Sequence, residues 1–523
     1  KLQIWLPLIF SVILIAGMFL GYQLSAPAGG RNDFFSSNRR STLQKAMDLI
    51  RLKYVDSIRI DSLEGKAIKE MMEDLDPHSV YLPPVDLIEA NEDLAGNFDG
   101  IGVEFNVFMD TVNVVYVIPD GPSDKAGLMI GDKIVKINDS LLTGKNLSND
   151  NIKKMIRGQQ GSKATLQIIR YGRQETIAVT RGKIPVPSVD AAYMIDKTTG
   201  YIRLNKFTES SYEEFMQAME TIKKLGLKSL ILDLEGNGGG FMNEAVDIAD
   251  EFLDGDKLVV YTEGVNSKKK EYRCKRPGIF ETGKLVVLVD EFSASASEVL
   301  AGALQDWCRA KIIGRRTFGK GLVQDQYPLG DGSALRLTIA RYYTPLGRSI
   351  QRSYKQGKKI YIDEVFQRIS NGELLYADSN KIMNGKLFIT GCRDSLYGGG
   401  GIMPNVFVPA DTTYYEQKIN TLIANNSMSS FVYNYYLDHR KQMEQFSSPE
   451  EYVSRFDATE LWSGFSKYPG LSANLKSFND KEKKVIQLRL KALLARYKWR
   501  NEGFYQVLNH EDPAIIKAME WTK

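Results

Sequence analysis

The chain has 523 residues, 43% of them hydrophobic and 25% charged, which is ordinary for a globular protein and excludes global disorder or a fibrous repeat. That length allows several domains, each burying its own core. The 68 Lys and Arg nearly balance the 64 Asp and Glu, and a net charge of +4 gives no field that would favour nucleic acid as a partner.

Residues 4–22 carry no charge and are rich in Ile, Leu, Val and Phe, a run that as a helix spans about 28 Å of bilayer. The pattern predicts a membrane anchor over residues 1–24. The competing reading is a cleaved secretory signal, because Ser25-Ala26-Pro27-Ala28 supplies small residues after the apolar run. In both readings Lys1 ahead of a lone hydrophobic segment directs the rest of the chain away from the cytoplasm. The expected location is the cell envelope, either anchored in the inner membrane and facing the periplasm or exported after cleavage. A polar linker, residues 25–41, comes next. Between residues 42 and 75, Met47, Ile50, Leu63, Ile68 and Met72 fall at helical spacing and predict two short helices. Asp76-Pro77-His78-Ser79 breaks that pattern and predicts a turn leading to Tyr81-Leu82-Pro83-Pro84.

From residue 97 to 183 short strands replace the helices, at 102–107, 111–117, 133–137, 164–169 and 175–179, with one helix at 149–157. Gly100-Ile101-Gly102-Val103 at the start of this module and Gly127-Leu128-Met129-Ile130-Gly131-Asp132 in its middle resemble a PDZ domain. In such domains the glycine loop offers N–H groups to a peptide's terminal carboxylate and the strand edge pairs with the peptide, so the resemblance implies binding of polypeptides through accessible C-termini at Gly100, Ile101, Gly102 and Val103. From Tyr201 onward strands alternate with helices, as in α/β domains. Residues 229–234 and 285–289 read as buried strands. Each runs through a small-residue turn, Glu235-Gly236-Asn237-Gly238-Gly239-Gly240 or Asp290-Glu291-Phe292, into a helix, at 242–252 and 293–307. The last hundred or so residues are helical and charge-rich, with Tyr, Phe and Leu at three- and four-residue spacing, and read as a separate extension. Its apolar stripes suit packing on the core or pairing with a second copy, so homo-oligomerisation stays open.

Cys274, Cys308 and Cys392 are odd in number and widely spaced, with no C-x-x-C pair and no zinc arrangement, which predicts an unstapled fold with buried free thiols and no metal. The only histidines are His78, His439 and His510, one in a turn and two in the tail, a poor supply for a Ser-His-Asp triad. Ser293-Ala294-Ser295-Ala296-Ser297-Glu298 lies where a strand hands over to a helix, and Ser295-x-x-Glu298 taken alone is a capping box. Downstream, Lys320 stands between Gly319 and Gly321, a setting that a solvated lysine does not need. A phosphate loop starting at Gly314 fails because Gly321 occupies the place of the magnesium-binding Ser or Thr.

Leu232-Asp233-Leu234-Glu235-Gly236-Asn237-Gly238-Gly239-Gly240, Ser293-Ala294-Ser295-Ala296-Ser297-Glu298 and Thr317-Phe318-Gly319-Lys320-Gly321-x-Val323-Gln324 resemble the signatures of the C-terminal processing peptidases, family S41. Tyr342-Tyr343-Thr344-Pro345-Leu346-Gly347-Arg348-Ser349-Ile350 and Gly400-Gly401-Ile402-x-Pro404 match as well, so the likeness runs from about Thr42 to Pro409. The resemblance implies a serine endopeptidase without cofactor, with Ser295 as nucleophile, Lys320 as general base and Gln324 assisting it. It also implies an oxyanion hole made by the N–H groups of Ala296 and Gly239, with Gly240 as the next choice. Glu235 and Gly238 depart from the arginine and proline frequent in the family. Asp306, eleven residues after Ser295 on nearly the same helix face, is a further candidate for orientation or for a salt bridge.

The fold expected is α/β and multidomain. A crotonase/ClpP-like protease core occupies residues 184–410, with its N-terminal helical part at 42–94 and a PDZ domain inserted at 95–183, and a helical extension covers 411–523. Two other functions compete with the peptidase. A non-catalytic, membrane-anchored PDZ adaptor would bind peptides without turnover, and a crotonase-like acyl-CoA enzyme would leave the PDZ module unexplained.

Overall fold

The computed structural model describes residues 10–19, 41–144, 147–377, 385–424, 426–468 and 477–523. Residues 1–68 and 69–523 form two units. In the first, Ser41 caps the helix Thr42–Lys53 by accepting the Gln44 N–H at 3.2 Å. Of the apolar stretch at 4–22, residues 10–19 are described; they are helical, with Phe10, Ile13, Leu14 and Met18 exposed. The rest of the expected anchor and nearly all of the linker lie outside the described residues. Among the described residues no helix is long and apolar enough to cross a membrane.

The second unit is built on two sheets and a small β-rich module. After the helix Ile60–Glu73 come strand β1 (Val80–Leu82), the helix Pro84–Ala95 and β2 (Asn97–Gly100). The module holds β3 (Val103–Phe108), β4 (Thr111–Val117), β5 (Lys133–Ile137), β6 (Ser140–Leu141), the helix Asn149–Ile156, β7 (Lys163–Arg170) and β8 (Arg173–Thr180). Its strand order is β3-β4-β5-β7-β8, so among the described residues β3, which starts at the end of the Gly100–Val103 loop, keeps one edge open. Alternation explains the burial: Val112 and Val114 of β4, Ile134 of β5 and Leu166 and Ile168 of β7 point inward onto Ile152 and Ile156 of the helix. Strand β9 (Gly182–Pro185) pairs with β2 and closes the module at its neck.

The central sheet has the order β10-β11-β12-β15-β16-β21, with β10 (Val189–Met194) antiparallel to β11 (Thr199–Leu204). Its parallel part is β11, β12 (Ser229–Asp233), β15 (Lys284–Val289), β16 (Lys311–Gly314) and β21 (Val406–Phe407). Buried on both faces, β12 and β15 read as unbroken apolar runs. The helices Ser211–Lys224, Met242–Asp250 and Ala296–Asp306 pack on one face. The second sheet centres on β18 (Ala334–Tyr343), which pairs with β1, with β13 (Leu258–Glu263, itself paired to β14, Lys270–Arg273) and with β17 (Leu322–Pro328). A hairpin of β19 (Leu387–Ile389) and β20 (Ser395–Tyr397) carries Cys392, which is bonded to Cys308 just beyond the helix Ala296–Asp306. That disulfide corrects the unstapled fold expected from sequence. Spacing along the chain says nothing about two cysteines 84 residues apart that tertiary packing brings together, and only Cys274 is a buried free thiol.

The helical extension is not a separate body. Ala514, Ile515 and Ala518 of the helix Pro513–Thr522 cover the other face of the central sheet against Ile231, Val286 and Leu288. Its middle grips the β-rich module from behind. Tyr433 packs on Phe108 at 5.5 Å between ring centres, and Arg500 pairs with Glu104 while lying 3.3 Å over the Tyr116 ring. Arg500 can reach because the helix Asp480–Asn509 breaks at Trp499 and Arg500, the latter at φ 56°. Tyr433→Ala should cost about 3 kcal/mol, with amide exchange accelerated in β3 and β4 while β12 and β15 keep their protection.

Candidate active site

Parallel strands deliver their carboxyl ends to one edge, so the turns that leave β12 and β15 are neighbours. They are tied together: Gly236 N–H donates to Asp290 Oδ1 at 2.9 Å, Ser293 Oγ to the Leu234 carbonyl at 2.8 Å, and Ala294 N–H and Ser297 Oγ to the Asn237 carbonyl at 2.9 and 2.8 Å. Two of the three serines thus spend their hydroxyls on structure. Ser295 instead faces a cavity of about 850 Å³, shared with Lys320, Gln324, Arg336, Tyr342 and the glycine turn. Its backbone sits at φ 56° and ψ −113°, whereas an ordinary N-cap keeps φ negative in the extended region. A non-glycine residue held there is strained, and such strain gathers at functional turns.

Glu298 makes that turn possible. Its buried carboxylate accepts the N–H of Ser295 at 2.9 Å, the N–H groups of Gly319 and Lys320 at 2.7 and 2.8 Å, and the Thr317 hydroxyl at 2.5 Å. One side chain therefore fixes both the serine turn and the lysine loop. Burial pushes the Glu298 carboxyl upward, and the four donors pull it back only in part. The Tyr342 hydroxyl lies between the main-chain carbonyls of Ser295, at 2.9 Å, and Lys320, forming a second bridge.

Lys320 Nζ donates to Gln324 Oε1 at 3.0 Å, and Gln324 Nε2 donates to the His78 carbonyl. Burial first, then the Arg336 guanidinium, hold the amine below the ordinary lysine range, against a weaker upward pull from Glu298 and Asp76. Both glycines around the lysine are required: at Gly319, φ 89°, a Cβ would press on Arg352 and on the Gly401 amide, and at Gly321 it would meet the Gln351 amide at 2.9 Å.

The Gly239 backbone packs against the nucleophile turn so closely that a Cβ would lie 2.7 Å from that of Ser295. Its N–H, however, donates to Asn237 Oδ1 at 2.9 Å, so the donor expected for the oxyanion is engaged within its own turn. Ala296, the first residue of its helix, carries one of the N–H groups a helix start leaves without a partner in the helix. Asp306 does not join the site. Eleven residues carry it about 16 Å along the helix, where it forms a buried ion pair with Arg348 at 2.6 Å and accepts the Leu346 N–H at 2.9 Å. The Gly100–Val103 loop also lies apart from this cavity, with Ile101 buried and Gly102 at φ 77°.

Family models match at residues 198–358 for peptidase family S41, at 100–180 for the PDZ domain, and at 418–500 for a family of unknown function, DUF8443. The carboxy-terminal-processing protease of Bartonella bacilliformis is 35% identical over 349 residues, which is 65% of this chain and 80% of that protein. The chain belongs to peptidase family S41, the carboxy-terminal processing proteases. The carboxy-terminal processing protease CtpB of Bacillus subtilis is 31% identical over 64% of this chain and 72% of its own length. A solved photosystem II D1 C-terminal processing protease is 31% identical, covering 59% of this chain and 83% of that one at a TM-score of 0.34. This S41 protease is a serine endopeptidase that carries a PDZ domain.

Sequence reading missed three groups in the protease site. Glu298 was visible only as half of a capping box. Tyr342 stood inside a matched motif without a role, and Arg336 had no signal at all. Glu298→Gln replaces two acceptor oxygens by one and turns an amide NH₂ toward N–H donors. It should lower kcat about 100-fold through misplacement of serine and lysine together, measured against circular dichroism showing a folded chain.

Proposed function

We propose that Ser295 is the nucleophile and Lys320 the general base of this protease. The observation that carries the reading is the Glu298 carboxylate, which binds the strained Ser295 turn and the loop of a buried lysine at once. A lysine accepts a proton only when neutral, and burial beside Arg336 favours the neutral amine. Ser295 Oγ attacks the scissile carbonyl as Lys320 Nζ takes its proton. The oxyanion that forms is met by the Ala296 N–H and an N–H of the Gly238–Gly240 turn, where Gly239 serves by exchanging its bond to Asn237. Lys320 then protonates the leaving amine, and water releases the acyl group by the reverse sequence. The α/β core is read as crotonase/ClpP-like on the strength of this glycine-turn logic. The open edge of β3 and the Gly100–Val103 loop suit a substrate's carboxyl-terminal residues, held as an added strand.

Ser295→Ala and Lys320→Ala should each lower cleavage of an unstructured protein with an apolar carboxyl terminus by about 10³-fold or more, with the fold intact; full activity of Ser295→Ala would refute the mechanism. Because the working base is neutral, kcat/KM rises with pH through the lysine pKa, which lies below the reference value of about 10.4. Arg336→Gln removes a repelling cation, raises that pKa and moves the rising limb to higher pH.

We further propose that residues 4–22 tether the protein to the envelope membrane with the protease on the exported side. Support comes from the uncharged apolar sequence and from the Cys308–Cys392 disulfide, since such bonds persist in oxidising compartments. Added protease should digest the catalytic part in spheroplasts but not in intact cells; resistance in spheroplasts would contradict the placement.

A further inference from the structure

We infer that Asp76 is a positioning residue for the base: it shapes the turn Asp76-Pro77-His78-Ser79 so that the His78 carbonyl holds the Gln324 amide in one orientation, which aims Lys320 Nζ at Ser295. The inference rests on the assignment of Ser295 and Lys320 as nucleophile and base.

The carboxylate is spent entirely on the turn and its neighbour strand. Asp76 Oδ1 accepts the N–H groups of His78 and Ser79 at 2.9 and 3.1 Å, and Oδ2 accepts the Ser79 hydroxyl at 2.5 Å. Thr338 of β18 donates its hydroxyl to Asp76 Oδ1 at 2.8 Å and its N–H to Ser79 Oγ at 3.0 Å. The chain then runs straight into β1, which pairs with β18 from Val80↔Arg336 to Leu82↔Ala334. Thr338 is also the cross-strand partner of Gln324 on β17. A turn welded to β18 on one side thus meets the glutamine that leans on β18 from the other. The His78 ring is pinned as well, with Nε2 2.9 Å from the Tyr361 hydroxyl. Burial, then the nearby Lys320, push that ring down to about 3, so it stays neutral beside the amine.

The effect of the carbonyl comes from which groups can donate and which can accept. A carbonyl oxygen only accepts, so it selects the NH₂ end of Gln324 and leaves Oε1 for Lys320. The flipped amide would set oxygen against oxygen at His78, and its NH₂ would either meet a lysine N–H or donate to the amine lone pair that must take the serine proton. A neutral amine has two N–H bonds and one lone pair. Committing one N–H to Oε1 leaves the lone pair to be turned toward the Ser295 hydroxyl. The turn lies 246 residues before Gln324 and ahead of the PDZ domain, so the catalytic unit includes chain on both sides of that domain.

The test uses the full chain, an unstructured protein substrate, and single-turnover acylation by a β-lactone. Asp76→Ala should lower both kcat and the acylation rate by about 10- to 100-fold per titrated site, with KM within about twofold. Asp76→Asn, whose Oδ1 still accepts the two N–H groups, should restore most of the loss. A merely structural residue would instead change the fraction of titratable sites and leave the rate per site untouched, and that result overturns the inference. Gln324→Glu, isosteric but unable to donate to the His78 carbonyl, adds a negative charge beside an amine already faced by Arg336, Glu298, Asp76 and His78. It should move the rising limb of kcat/KM to higher pH, and an unshifted limb overturns the inference even if Asp76→Ala fails to fold. Ser295→Ala is run alongside. Activity there defeats the dyad reading itself, whereas an inactive Ser295→Ala with a fully active Asp76→Ala defeats only the role of the turn.

Discussion

A fully buried carboxylate with four donors around it holds this protease site together. Glu298 is the third residue of the helix that Ser295 opens, and from there it also receives the amides of Gly319 and Lys320 and the hydroxyl of Thr317. Leaving any of those N–H groups unpaired in the interior would cost about 1–3 kcal/mol. The helix start and the lysine loop therefore take positions that satisfy one acceptor. The positive φ of Ser295 goes with that arrangement, the close approach of Arg352, Gly401 and Gln351 requires the glycines beside Lys320, and Tyr342 ties the two main chains a second time.

Around this pair the chain supplies rigidity from distant segments. The central sheet brings two turns together, the second sheet supplies β17 and β18, and the Asp76 turn arrives from before the PDZ domain. The C-terminal extension fastens the outside: its last helix closes the free face of the central sheet, while Tyr433 of the helix Ser427–Asp438 and Arg496 and Arg500 of the broken helix reach β3 and β4. Glu104, the partner of both arginines, lies on the strand whose open edge suits a peptide. The grip of the extension thus bears on the strand that ends the sheet of the PDZ domain.

Much of the α/β pattern was legible because burial writes itself into periodicity. The runs at 229–234 and 285–289 and the segments at 111–117 and 133–137 are strands within a residue or so of those bounds. The hairpin β17–β18 was not legible as strands, since its half-buried residues mix Gln, Asp, Arg and Tyr with apolar positions. The bond from Thr338 to Asp76, the approach of Arg336 to Lys320 and the Cys308–Cys392 pair escaped for a common reason. Their partners lie tens to hundreds of residues away, and no local spacing encodes such meetings. The extension showed its helices but not its docking, because an apolar stripe does not name its cover. Asp306 was nearly the converse case: of the two roles its position allowed, the salt bridge is the one formed, because the rise along the axis carries it away from the chemistry.

Whether Glu298 joins a serine nucleophile to a lysine base is decided by locating the acyl-enzyme. A slowly released ester or β-lactone would be trapped by acid quench, and the adduct mapped by peptide mass spectrometry in the wild-type, Lys320→Ala and Glu298→Gln chains. A single adduct on Ser295 is expected in the wild type, absent in Lys320→Ala and slow to form in Glu298→Gln. An adduct on another residue, or acylation of Ser295 at the wild-type rate without Lys320, would contradict the coupling of serine and lysine through Glu298.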